Sequence, residues 1–173
     1  AVASVRAGNV IGGGDWGAEK LIPDIVRSFT RREAVLIRSP AALRPWQHVL
    51  DALHGYLMLA ERMWSDPQAA DAWNFGPGDE DTRPVRWIAE RMARLWGADA
   101  SWREDSAPAP HEATLLKLDS SRARNLLGWT PRLNLGAALD WTIDWYRAQA
   151  AGADMREPTL AQIGRFMALA TKP

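Results

Sequence analysis

The hydrophobic pattern divides the chain into alternating extended and helical segments. Residues 2–7 are short-chained and mostly apolar and predict a buried strand, too apolar for a half-exposed position. Residues 8–17 predict a glycine-rich loop. From 19 to 32 the period changes: Ile22, Ile25, Val26 and Phe29 recur on one helical face, and Pro23 falls in the first turn, where its missing N–H costs nothing. Residues 35–38 predict a short strand, 39–42 a turn and 46–49 an extended segment. Asp51 is placed to cap a helix reaching to about 64, with Leu53, Tyr56, Leu57, Ala60 and Met63 inward. Asp66-Pro67 breaks it.

In the second half, residues 72–75 predict a strand closed by Gly76-Pro77-Gly78. Thr82 and Pro84 open a helix with Val85, Ile88, Met92 and Leu95 on one stripe, ended by Gly97. Residues 98–113 predict a long irregular connection containing Ala107-Pro108-Ala109-Pro110, and 115–118 read as strand-like. Asp119 or Ser120 caps a short helix that stops at Gly128. Two more helices are expected over 135–150 and 159–170. No internal repeat and no low-complexity tract interrupts the order. Strands alternating with helices argue an α/β fold.

Composition adds exclusions. At 173 residues the chain is long enough for one domain with a real core. Its formal net charge is zero, so it has no electrostatic footprint for nucleic acid or an anionic membrane. The absence of cysteine rules out disulfides, thiolate catalysis and Cys-based metal sites. No apolar run has the length of a membrane span and no signal peptide precedes the first strand, so a cytoplasmic location is the default expectation. The chain opens directly in a strand, from which we expect the C-terminal part of a larger protein.

The candidate chemistry clusters at loops. Gly12-Gly13-Gly14-Asp15-Trp16-Gly17 literally matches G-x-G-x-x-G between a strand and a helix. Asp15 would repel a pyrophosphate, and no acid follows Ile37 to hold a ribose, so the match reads as a loop leaning over some other ligand. Asn9 follows the first strand; its amide can donate and accept, or the residue can simply occupy a turn. Arg44, stiffened by Pro45 and Trp46, suits an oxyanion, although a solvated arginine is the plainer reading. His48 and His54 are too isolated to suggest a metal pair, and no metal is expected. Asn74 ends a strand, a ligand-facing position in α/β sheets. His111-Glu112 could bind a sugar or diphosphate or merely cap a turn. Trp87, Trp96, Trp129, Trp141 and Trp145 read as core or interface, since a base-stacking platform also needs a basic groove.

Taken in order, Asn9, Lys20-Leu21-Ile22-Pro23, Arg44-Pro45-Trp46, Trp73-Asn74-Phe75-Gly76 and Leu127-Gly128-Trp129-Thr130-Pro131 resemble the C-terminal half of the extended short-chain dehydrogenase/reductases that act on nucleotide sugars. The runs from Gly8 to Trp16, from Arg44 to Leu50 and from His111 to Asp119 are similar to the CDP-glucose 4,6-dehydratase branch. The resemblance covers residues 2–147. It implies the last strands of a Rossmann-type parallel sheet (about 1–10 and 45–76) interleaved with a smaller mixed α/β substrate lobe (about 11–44 and 77–173). It also implies an NAD-dependent lyase making CDP-4-keto-6-deoxyglucose from CDP-glucose for deoxysugar and cell-surface polysaccharide synthesis. A homodimer or tetramer is the oligomer it suggests.

By the same resemblance, Asn9 would hold the substrate near its diphosphate, and Lys20 and Leu21 would approach that diphosphate. Arg38 would lie beside the nucleotide, Arg44 would bind a phosphate and Asn74 would line the nucleotide pocket. His111 and Glu112 would belong to a segment closing over the nucleotide. Val10 stands where related dTDP-sugar enzymes carry an Asn beside the nicotinamide, which leaves only a weak contact to NAD. The Tyr-x-x-x-Lys pair of the family is absent: Ala60 lies four after Tyr56 and Ala150 four after Tyr146. No catalytic residue is therefore expected here, and the chain alone should be inactive. The open alternatives are another nucleotide-sugar epimerase, dehydratase or decarboxylase, and a non-catalytic nucleotide-sugar-binding module.

Overall fold

The computed structural model describes residues 1–106 and 115–169. Among these residues seven short strands form three small sheets, mostly parallel. β1 (Ser4–Ala7) pairs with β5 (Ala72–Phe75) in parallel, Val5 opposite Trp73. β2 (Asn9–Ile11) pairs in parallel with β4 (Leu43–His48), which pairs on its other side, antiparallel, with β6 (Thr82–Pro84). β3 (Val35–Ile37) pairs in parallel with β7 (Trp102–Glu104). Parallel neighbours need crossovers, and the helices supply them.

The amphipathic helices fall where their periodicity puts them. In α1 (Leu21–Thr30), Ile22, Ile25, Val26 and Phe29 are all buried, with Pro23 in the first turn. In α3 (Val85–Trp96), Ile88, Ala89 and Met92 are fully buried, and the helix stops before Gly97. α5 (Leu135–Ala150) buries Leu139, Ile143 and Tyr146. These three helices, with Ile11, Val35, Ile37 and Trp46 from the strands, make the largest core. Each such fully buried side chain contributes on the order of 1.5–3 kcal/mol of transfer free energy. A second cluster joins α2 (Val49–Ser65), β5 and α4 (Ser121–Leu127) through Leu59, Trp73, Phe75, Ala123 and Trp129. A third seats α6 (Arg156–Met167) on α5 through Leu133, Trp141 and Phe166. The tryptophans read as core are so used: Trp129 and Trp141 are buried, and Trp87, Trp96 and Trp145 pack on the main core.

Several expectations are corrected. The first strand is exposed rather than buried: Val2 and Val5 stay open because β1 has one strand neighbour, β5, among the described residues. Residues 9–11 are strand rather than loop, since a bend at Gly8 redirects the chain onto β4. Gly8 is needed there, because a Cβ would run into the Pro45 carbonyl. The cap of α2 is His48, whose Nδ1 accepts from Leu50 N at 3.2 Å; Asp51 is already inside the helix. The buried face of α2 is Asp51, Ala52, Gly55 and Leu59; of the residues expected inward, Tyr56 and Met63 pack on the second core while Leu53, Leu57 and Ala60 are exposed, as is Trp64. Gly55 decides that face, since its bare Cα admits the Phe75 and Trp129 rings. Trp102–Glu104 is strand, not irregular connection, because β3 offers it a ladder. Leu115 makes only an isolated bridge to Leu43 where a strand was expected. The last helix begins three residues early, at Arg156.

Candidate functional site

Two clefts meet at the start of α1. The larger, about 350 Å³, lies against the C-terminal end of β2 and is lined by Asn9, Val10, Gly12, Asp15, Lys20, Leu21 and Trp46, with Glu19, Ile11, Ile22 and Pro23. The smaller, about 130 Å³, continues past Glu19 and Leu21 to the end of β3, where Asp24, Leu36, Arg38, Ser39 and Val85 complete it. Parallel register sets Asn9 beside Trp46, so both side chains reach the same face of the β2–β4 ladder. Glu19, which lines both clefts, has φ of +59°, a left-handed backbone that is uncommon for a residue with a side chain.

The glycine loop forms one wall, and it is anchored from behind. The Tyr146 hydroxyl donates to the Asp15 carbonyl at 2.7 Å, and the Trp16 ring meets Tyr146 edge-on at 5.2 Å. Arg27 donates to the Trp16 and Gly17 carbonyls at 3.1 and 3.2 Å, while also pairing with Asp24. A Cβ on Gly13 would lie inside the Trp145 indole, and one on Gly12 would meet Val49 at 2.7 Å. Gly12 and Gly13 serve packing against α2 and α5, a role that accounts for them without a dinucleotide.

An ion pair lines the larger cleft. Lys20 Nζ lies 3.0 and 3.2 Å from the two Asp15 oxygens, and Asp15 Oδ1 also accepts from Gly17 N at 2.9 Å. The Gly17 bond, with Lys20 adding to it, holds the Asp15 carboxyl below its usual range. Burial pushes the Tyr146 phenol up to about 12. His48 is fully buried against Trp141, and burial lowers its imidazole to about 4.

Of the residues singled out from sequence, Asn9, Val10, Lys20, Leu21 and Arg38 are brought together on the two joined clefts. Arg44 is buried on β4, donates to the Leu43 carbonyl at 2.9 Å and lines neither cleft. Asn74 is half-buried at the end of β5, where Nδ2 donates to the Asp119 carbonyl at 3.0 Å, also away from the clefts. His111 and Glu112 lie outside the described residues. The sequence reading passed over Asp15 as an acceptor for Lys20 and missed Glu19 and Tyr146. The i, i+5 spacing of Asp15 and Lys20 across one turn was the available signal; nothing in the sequence marks Tyr146 as the clamp on Asp15.

No family model matches the chain. Among curated proteins, it is 48% identical over 172 residues to CDP-glucose 4,6-dehydratase of Salmonella typhimurium, covering 99% of this chain and 48% of that protein. That similarity to a nucleotide-sugar dehydratase runs over nearly the whole of this chain. A more distant relative, the dTDP-6-deoxy-L-talose 4-dehydrogenase of Kitasatospora kifunensis, is 31% identical over 80% of this chain and 44% of its own. The chain thus spans about half the length of these curated relatives. The fold agrees. The UDP-glucuronic acid 4-epimerase of Bacillus cereus, solved with UDP-glucuronic acid and NAD, superposes with a TM-score of 0.72 at 16% identity, over 85% of this chain and 45% of its own. MoeE5, solved with UDP-glucuronic acid and NAD, does so with 0.72 at 26% identity, over 86% and 48%. The fold seen in these neighbours is the mixed α/β arrangement with parallel pairs described above. Among the described residues no helix is long and apolar enough to cross a membrane, and no group of His, Asp and Glu is arranged to hold a metal ion.

Proposed function

We propose that this chain is the nucleotide-sugar-binding part of a cytoplasmic CDP-glucose 4,6-dehydratase, an NAD-dependent lyase yielding CDP-4-keto-6-deoxyglucose for deoxysugar biosynthesis. The observation that supports it is the joined pair of clefts at the start of α1, Asn9 and Lys20 at one end and Arg38 at the other, in a chain 48% identical to a named CDP-glucose 4,6-dehydratase. Asn9 and Lys20 supply a neutral donor and a cation for the diphosphate, and Leu21 an apolar edge. Arg38 flanks the nucleoside at the end of β3. Asn74, His111 and Glu112 keep the substrate-side roles that the family resemblance implies, Asn74 from outside the two clefts, while Arg44, buried on β4, would have to turn out of the protein to reach a phosphate. NAD is held chiefly by residues of the complete protein other than these, with Val10 presenting only an apolar side chain toward it.

The test is calorimetry and turnover on the complete protein. CDP-glucose should bind more tightly than UDP-glucose or dTDP-glucose and should lose water in the presence of NAD, followed by mass spectrometry. Lys20→Gln should weaken CDP-glucose by about tenfold, the loss of one charge-assisted contact. Equal affinity for the three nucleotides would reject the CDP assignment, and conversion to an epimer without loss of water would favour the epimerase reading.

A further inference from the structure

The larger cleft has an unexpected charge balance for an anion site. Two carboxylates, Asp15 and Glu19, line it against one lysine, Lys20. Lys20 is engaged with both Asp15 oxygens rather than presented to the cleft. The pair is solvent-accessible, with side-chain exposures of 59% for Lys20 and 39% for Asp15, so it can open without desolvating either partner. The backbone beneath it is fastened independently, by Tyr146 to the Asp15 carbonyl and by Arg27 to the carbonyls of Trp16 and Gly17. Moving the two side chains therefore need not move the loop.

We infer that Asp15 is an exchangeable counterion for Lys20: an anionic ligand must replace it as the partner of the ammonium, and Asp15 thereby lowers the affinity of the cleft for phosphate-bearing ligands. This rests on the proposed function for the identity of the ligand, a nucleoside diphosphate sugar. In the free state, Asp15 neutralises Lys20. In the bound state, the displaced carboxylate stays beside the diphosphate and repels it. Both terms oppose binding, and both favour release of an anionic product that keeps the same diphosphate.

Asp15→Asn separates charge from shape. An Asn Oδ1 still accepts from Gly17 N, so the turn is kept while the ionic partner of Lys20 is lost. Calorimetry on the complete protein would use CDP-glucose and, separately, inorganic pyrophosphate. D15N should bind both about three- to fivefold more tightly at low ionic strength. The gain should vanish in about 0.5 M salt, shrink in a Lys20→Gln background, where only the repulsion is left to relieve, and be absent in Asp15→Glu, which restores the charge. Unchanged or weaker binding by D15N at low salt would overturn the inference, as would a gain that survives salt or that K20Q leaves undiminished. The pyrophosphate arm keeps the two readings apart. If CDP-glucose fails to bind the wild type while pyrophosphate obeys the pattern, the substrate assignment is what falls.

Discussion

Acidification should destabilise the protein through His48. The ring is 1% exposed, caps α2 through Nδ1 and lies against Trp141. Burial lowers it from 6.5 to about 4. Below pH 6.5 the unfolded chain takes up a proton on this residue, while the folded chain takes it up only near pH 4. The stabilisation is therefore complete above 6.5 and is lost as pH falls through 4. About 2.5 pH units at 1.36 kcal/mol each make it worth about 3 kcal/mol, of which about 2 kcal/mol is gone by pH 5. His54, lowered by burial and by Arg132, adds in the same direction. Urea unfolding of the complete protein, followed by tryptophan fluorescence at pH 7.5, 6 and 5, would measure it. His48→Asn keeps a cap acceptor for Leu50 and removes the proton site. It should be less stable at pH 7.5, yet lose about 2 kcal/mol less than the wild type on going to pH 5. Parallel pH slopes for the two proteins would refute the reasoning.

Other substitutions probe the supports of the site. Gly13→Ala puts a methyl into the Trp145 ring and should cost about 1–3 kcal/mol in urea unfolding while weakening CDP-glucose binding, because the loop must leave α5 to relieve the clash. Asp51→Ala should cost about 3 kcal/mol: this buried carboxylate accepts from Arg132 N at 2.6 Å and Leu133 N at 3.4 Å, and its loss leaves amide donors without their acceptor. A change within 0.5 kcal/mol, the range of an ordinary surface substitution, would remove Asp51 from that role.

The long amphipathic helices were legible because their period is a property of the sequence alone. The stripe of α1 and the span of α5 needed no partner to be read. Val35–Ile37 was also legible as a strand, but Asn9–Ile11 and Trp102–Glu104 were not: they carry no period long enough to see, and they are strands only because β4 and β3 offer ladders. In α2, apolar residues run round much of the helix, so two faces compete. Leu53 and Leu57 look as suitable as Ala52 and Leu59, and the choice falls to Gly55, where Phe75 and Trp129 can approach.

The candidate site divides the same way. Residue types at loop ends and their family resemblance sufficed to single out Asn9, Lys20, Leu21 and Arg38, because those cues are local. Sequence also fixes the chemistry available: one amide, one lysine, one arginine and no thiol. Only the tertiary structure decided that these four share one groove while Arg44 turns into the protein, since that depends on strand register and on which helix start faces which strand end. It alone decided that Lys20 is met by Asp15, and that Tyr146, 131 residues away in sequence, holds the Asp15 backbone in place. Ion pairs and anchors of this kind are distances between chain segments, and no periodicity or composition along the chain encodes them.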